Sequence, residues 1–102
     1  MLTTKQRVYL RSIAQKEKAT FQIGKDGLSE NLLTDVLNYL NKHELIKISI
    51  LQNSMVDDEE AKEFFEEAGI EFVQKIGRIL VLYKQSDNAI NPIEFPKVKS
   101  KK

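Results

Sequence analysis

Between a short apolar segment ending at Ile23 and a helix-compatible run opening at Ser29 stand Gly24-Lys25-Asp26-Gly27. Two glycines bounding a four-residue turn let a second chain's backbone come close. At the N-terminus of a helix, unpaired N–H groups and the positive end of the helix dipole favour an anion. Lys25 adds a charge at the tip, and the chemistry these residue types offer together is a grip on a phosphate. The plainer alternative is a tight strand-to-helix connection that happens to expose a lysine. Asp26 works against phosphate locally and suits a turn-closing role.

A G-x-x-G turn of this kind is how KH-type loops hold a nucleic-acid backbone, so the next question is what charge stands near it. Lys5, Arg7 and Arg11 lie on the first helix-compatible segment. Arg7 and Arg11 are one helical turn apart and project together, and this face is expected to lie beside the loop. Lys75, Arg78 and Lys84 surround a later hairpin and either extend a basic surface or protect an edge strand. Lys97, Lys99, Lys101 and Lys102 offer sequence-independent attraction to a polyanion, or serve solubility. The net charge of +1 hides this distribution. Residues 57–71 hold eight acids and one lysine, a local charge of −7, which leaves +8 on the other 87 residues. A basic body attracts polyanions, and an acidic element keeps them off one side.

Other reactive residue types lead less far. His43, the sole histidine, reads as a cation at a helix C-terminus; a general base would need a nucleophile in reach, and Ser29, Ser49 and Ser54 stand in no nucleophile motif. Asp57-Asp58-Glu59-Glu60 lacks the spaced ligands and turn glycine of a calcium loop and reads as a capped helix start. Tyr9, Tyr39 and Tyr83 offer rings for base stacking, but Tyr9 and Tyr83 fall at core-facing or strand positions. With no cysteine and one histidine, thiolate chemistry, disulfides and multi-histidine zinc sites are excluded within one chain. No catalytic residue, metal ligand or cofactor is expected. No segment is apolar enough to span a bilayer, and the first ten residues carry charges rather than a signal core, so a cytoplasmic protein without membrane contact is expected.

The elements that must position these residues follow from periodicity. A helix over 3–17 opens with the capping pair Thr3 and Gln6. ATFQI (19–23) is a short strand. A second helix starts at the N-cap Ser29, with Leu28 and Leu33 as staple, and runs to about Lys42. ELIKISIL (44–51) is a strand with Ile46, Ile48 and Ile50 on one face. Asp57 caps an acidic helix that Gly69 stops. Residues 70–76 and 79–84 form a hairpin about Gly77-Arg78. The order α-β-α-β-α-β-β predicts a parallel core with one antiparallel strand. One domain over 1–84 is expected, followed by a polar, lysine-rich tail over 85–102 that is mobile apart from a pin at Ile93 or Phe95.

The blocks LTTKQRVYLRSIA, FQIGKDGL, HELIKISIL and VQKIGRILVLYK occur in one order across residues 2–84. In this they resemble the CRM domain (chloroplast RNA splicing and ribosome maturation), and more closely its bacterial stand-alone form, the YhbY-like proteins. The resemblance implies a two-layer α/β fold with a four-stranded mixed sheet, like the C-terminal domain of bacterial translation initiation factor three. It implies RNA binding and association with ribosomal RNA in precursors of the large ribosomal subunit. A monomer is expected. It places the RNA-binding loop on Gly24, Lys25, Asp26 and Gly27 and the basic helix on Lys5, Arg7 and Arg11. The helix start at Ser29 is expected to share the loop's grip on RNA. The family commonly has a proline before the first strand; KEKATF has none, which leaves the end of the first helix open. The acidic helix is expected to face away from RNA. The competing reading is a protein-interaction module in which residues 57–71 dock a ribosomal protein or assembly factor.

Overall fold

Thr3 accepts the Gln6 backbone N–H through its hydroxyl, and the Gln6 side chain accepts the Thr3 N–H in return. This reciprocal pair starts α1 (Thr4–Ala14). In the computed structural model, which describes residues 2–90 and 92–95, the remaining elements are β1 (Phe21–Ile23), α2 (Glu30–His43), β2 (Leu45–Ile50), α3 (Asp58–Glu67), β3 (Glu71–Ile76) and β4 (Ile79–Tyr83). Helix α1 ends three residues earlier than the sequence pattern suggests. The Lys47 ammonium donates to the carbonyls of Ala14 and Glu17, both at 3.0 Å, so the helix end finds its partner in β2 and the chain turns toward β1.

The sheet order is β1-β2-β4-β3. Only β1 and β2 pair in parallel; β4 is antiparallel to both β2 and β3. Three strands do point one way, but the expected parallel core is interrupted by β4. The reason lies in composition. Every residue of β4 (ILVLY) is apolar or aromatic, and its last four are buried, as suits a strand covered on both faces. β3 carries Glu71, Gln74 and Lys75 and takes the edge.

Ile46, Ile48 and Ile50 share a buried face with Ile23, Leu80 and Leu82, covered by Val36 and Leu40 of α2 and Ala61 and Phe65 of α3. Leu45, Val73, Val81 and Tyr83 point the other way and are covered by Leu10 and Ala14 of α1, with Ile93 and Phe95 packed beside them. The α/β class and four-stranded mixed sheet are those expected, but helices lie on both faces, making three layers instead of two. Within β2 the reverse face carries Lys47 and Ser49. The apolar residues that bury it come from the neighbouring strands.

Residues 85–90 and 92–95 lie along this body. Glu44, 2% exposed, accepts the backbone N–H of Ser86 and of Ile93 through its two carboxylate oxygens, each at 2.7 Å. The Phe95 ring stands 5.8 Å from that of Tyr9 and 5.7 Å from that of Tyr83. Lys97, Lys99, Lys101 and Lys102 lie outside the described residues.

Candidate nucleic-acid interface

The Gly24–Gly27 loop leaves the carboxyl end of β1 and closes through the Gly27 N–H donating to the Gly24 carbonyl at 3.0 Å. Gly27 has φ +70°, and a Cβ there would stand 3.3 Å from Val56 Cγ2. This is a glycine position by conformation and by space. Lys25 and Asp26 are exposed at the tip. Ser29 accepts the Leu32 N–H at 3.1 Å and starts α2. Among the described residues, the amides of Glu30 and Asn31 have no hydrogen-bond acceptor, so α2 offers free donors beside the loop. The exposed side chains here nearly cancel, Lys25 against Asp26 and Glu30. An anion would be held chiefly by backbone donors and the helix dipole.

Two neighbours flank the loop. Residues 51–56 return from β2, with the Leu51 N–H donating to the Ile23 carbonyl at 2.9 Å, and lead to α3. Asp57 accepts the Glu60 N–H at 2.7 Å and caps that helix. The start of the acidic helix therefore shares the end of the sheet that carries Gly24–Gly27, contrary to the expectation that it faces away. Asp58 pairs with Lys75 at 3.3 Å. Its carboxyl is held below the usual range by its own backbone N–H and by Lys75. Arg78 is also engaged: it donates to the carbonyls of Ile50 and Leu51 at 2.8 and 2.9 Å, binding the β3–β4 turn to the end of β2. Lys75 and Arg78 thus hold the scaffold under the loop.

The basic helix is elsewhere. β1 and β3 occupy opposite edges and run in the same direction. The Arg7 guanidinium donates to the carbonyl of Phe72, near the start of β3. Arg7 is therefore at the far edge and far end from the loop, on the reverse face of the sheet. The expected adjacency of loop and Arg7-Arg11 face is not what the fold builds. Lys5 and Arg11 are exposed on α1, and Arg7 is half-buried.

Of the remaining candidates, Tyr83 is buried, and Tyr9 packs on Phe95. His43 and Tyr39 stack on each other, a pairing that their i, i+4 spacing on α2 already encodes. Met55, 94% exposed beside Val56, went unremarked because an isolated methionine in a polar loop carries no periodic signal. Among the described residues no three His, Cys, Asp or Glu side chains converge as a metal site would require. No helix among them is long and apolar enough to cross a membrane.

Comparison with known proteins shows what the chain is similar to. Residues 2–84 match the CRS1/YhbY (CRM) domain model. The chain is 40% identical to the probable RNA-binding protein YqeI of Bacillus subtilis, over 94% of this chain and 100% of that protein. It is 36% identical to an RNA-binding protein of Haemophilus influenzae, over 94% and 96% of the two chains. The solution structure of SAV1595 from Staphylococcus aureus superposes with a TM-score of 0.76 at 43% identity, covering 94% of this chain and 100% of that one.

Proposed function

The chain belongs to the CRS1/YhbY (CRM) domain family, and on that premise we propose that it binds ribosomal RNA in precursors of the large ribosomal subunit and assists their assembly by binding, without catalysis. Relatives at 40% and 36% identity are named as RNA-binding proteins. The observation that carries the reading is the exposed Gly24–Gly27 turn at the carboxyl end of β1, seated on the N-terminus of α2. Glycine at both ends lets a sugar-phosphate backbone approach, the amides of Glu30 and Asn31 supply donors, and Lys25 supplies charge. Arg11 and Lys5 form a second, separate electrostatic contact on the reverse face. A structured RNA that wraps an edge of the sheet meets both; a short linear strand meets one. Phosphate contacts position without specifying sequence, so selectivity comes from RNA shape. The protein acts in the cytoplasm as a monomer in this reading.

Crosslinking in cells followed by sequencing of the attached RNA tests it. Reads concentrated in one region of large-subunit ribosomal RNA or its precursor are expected. Reads scattered over unrelated transcripts would overturn the assembly role.

A second reading is favoured by the acidic run Asp57–Glu60 at the loop end of the sheet: this run docks a basic ribosomal protein or assembly factor. A complex that survives nuclease treatment would support it, and one that dissolves would favour RNA.

A further inference from the structure

β1 is only three residues long and pairs with Ile48–Ile50 alone, so on that edge no strand runs beside the first half of β2, whose other edge pairs with β4. A cleft of about 260 Å³ opens at this end of the molecule, lined by Ile13, Glu17, Tyr39, His43, Leu45 and Ile93. One wall is aromatic. The rings of Tyr39 and His43 are 4.4 Å apart and 35° from parallel, and Tyr39 rests edge-on against Phe21 at 5.6 Å. His43 is exposed, so the stack ends on a ring open to solvent. Lys16, Lys18 and Lys42, sequence neighbours of the lining residues, are exposed as well. The cleft is smaller than the roughly 300 Å³ at which sites for drug-sized ligands begin, which suits a single planar ring system.

We infer that this cleft receives an unstacked nucleobase, through stacking on the Tyr39–His43 pair, with Glu17 available to a base that carries an exocyclic amino group. This rests on the proposed RNA-binding function and adds a base contact at a distance from the phosphate contact. α2 joins the two: Ser29 beside the loop starts it and His43 ends it, a rise of about 21 Å for 14 residues. One RNA strand following α2 would reach both. Base–aromatic stacking tolerates any base, whereas a carboxylate in the wall favours cytosine, adenine or guanine over uracil, which has no amino donor. Glu17 also repels phosphate, so the base and not the backbone enters, while the flanking lysines meet the backbone outside.

The test is the affinity of a ten-nucleotide, cytidine-rich single-stranded RNA for the full chain, for His43→Ala and for His43→Phe, together with NMR titration of the full chain with cytidine and uridine monophosphates. His43→Ala is expected to weaken RNA binding about tenfold with an unchanged salt dependence, and His43→Phe to restore it to within about twofold. Cytidine monophosphate is expected to shift the Tyr39 and His43 ring resonances more than uridine monophosphate does, with Glu17→Gln narrowing the difference. RNA binding by the full chain that His43→Ala leaves within twofold would overturn the cleft assignment and leave the loop reading standing. Absence of binding both to this strand and to a folded ribosomal RNA fragment, with nucleotide shifts at Tyr39 and His43, would overturn the proposed function and keep the base cleft. Absence of both would overturn both.

Discussion

The Glu44 carboxylate accepts the backbone N–H of Ile93 at 2.7 Å from a position 49 residues earlier in the chain. The same residue ends α2 in a left-handed conformation, φ 67°, donates its N–H to the Leu40 carbonyl at 2.8 Å and accepts the Lys84 N–H at 2.9 Å. One buried residue thus joins the end of a helix and the end of β4 through its backbone, and the segment that follows through its side chain. Hydrogen bonds to a charged group contribute about 1.5–3 kcal/mol each, and two backbone donors depend on this carboxylate. Glu44→Ala is expected to lower stability by about 3 kcal/mol and to open residues 85–95 to limited proteolysis. Glu44→Gln, which keeps one acceptor oxygen, should lose about half as much. Urea unfolding measures both. A Glu44→Gln variant as stable as the parent, beside a destabilised Glu44→Ala, would mean that the side chain acts by filling space rather than by accepting two hydrogen bonds.

The two glycines of the loop separate by conformation. Gly27 has φ +70° and a methyl group there meets Val56 at 3.3 Å; at Gly24 the nearest contact is Leu51 Cδ1 at 3.6 Å, an ordinary distance. The left-handed region costs a non-glycine residue about 1–2 kcal/mol. Gly27→Ala should therefore lower the unfolding free energy by at least about 1 kcal/mol. Gly24→Ala should change it by less than about 0.5 kcal/mol while still thickening the loop against an approaching backbone. RNA affinity lost in Gly24→Ala at unchanged stability would assign the first glycine to binding.

Tyr83 gives a pH dependence with a definite sign. Burial, and then the negative charges of Glu44 and Glu71, raise its hydroxyl above the ordinary value of 10.0. The folded state therefore holds this proton more tightly than the unfolded chain does. The resulting stabilisation is fully present below the ordinary value and is lost as pH rises through the raised one. Stability measured from pH 9 to 11 should fall, and the fall should be shallower in Tyr83→Phe. Parallel curves for the two proteins would assign the alkaline loss to other groups.

Much of the architecture was legible in the sequence because local chemistry decided it. Thr3 with Gln6, Ser29 and Asp57 all cap the helices at which their patterns pointed. Gly77 turns the hairpin with φ 58°. What failed were relations between elements. Arg7 and Arg11 do share a flank of α1, but no helical periodicity says which face of a sheet a helix will cover. That depended on Leu45, Val81 and Tyr83, whose burial on the reverse face reflects their neighbours. The uninterrupted apolar run of β4 is the signal for a central strand covered twice. Arg78 reads as surface charge because a single residue's sequence context does not reveal the carbonyls of Ile50 and Leu51 that it meets.

These placements decide how the basic residues should be tested. Arg7 donates to the Phe72 carbonyl and joins α1 to the edge strand; Lys25 and Arg11 are exposed. Arg7→Ala is expected to lower stability by about 1 kcal/mol, so any loss of RNA affinity in it would be mixed with loosening of α1. The double variant Lys25→Ala with Arg11→Ala should keep its melting temperature within about 3 °C of the parent, as exposed substitutions do. If both charges meet phosphates, its affinity for RNA should fall, and the slope of log affinity against log salt should shrink by about 1.4, roughly 0.7 for each single-strand contact. A short single-stranded RNA reaches one of the two positions, because loop and basic helix lie on opposite faces. With such an RNA the slope should shrink by only about 0.7. Titrations of a short strand and of a folded ribosomal RNA fragment, at several salt concentrations, distinguish a one-point from a two-point grip. An unchanged slope with both RNAs would remove Lys25 and Arg11 from the interface.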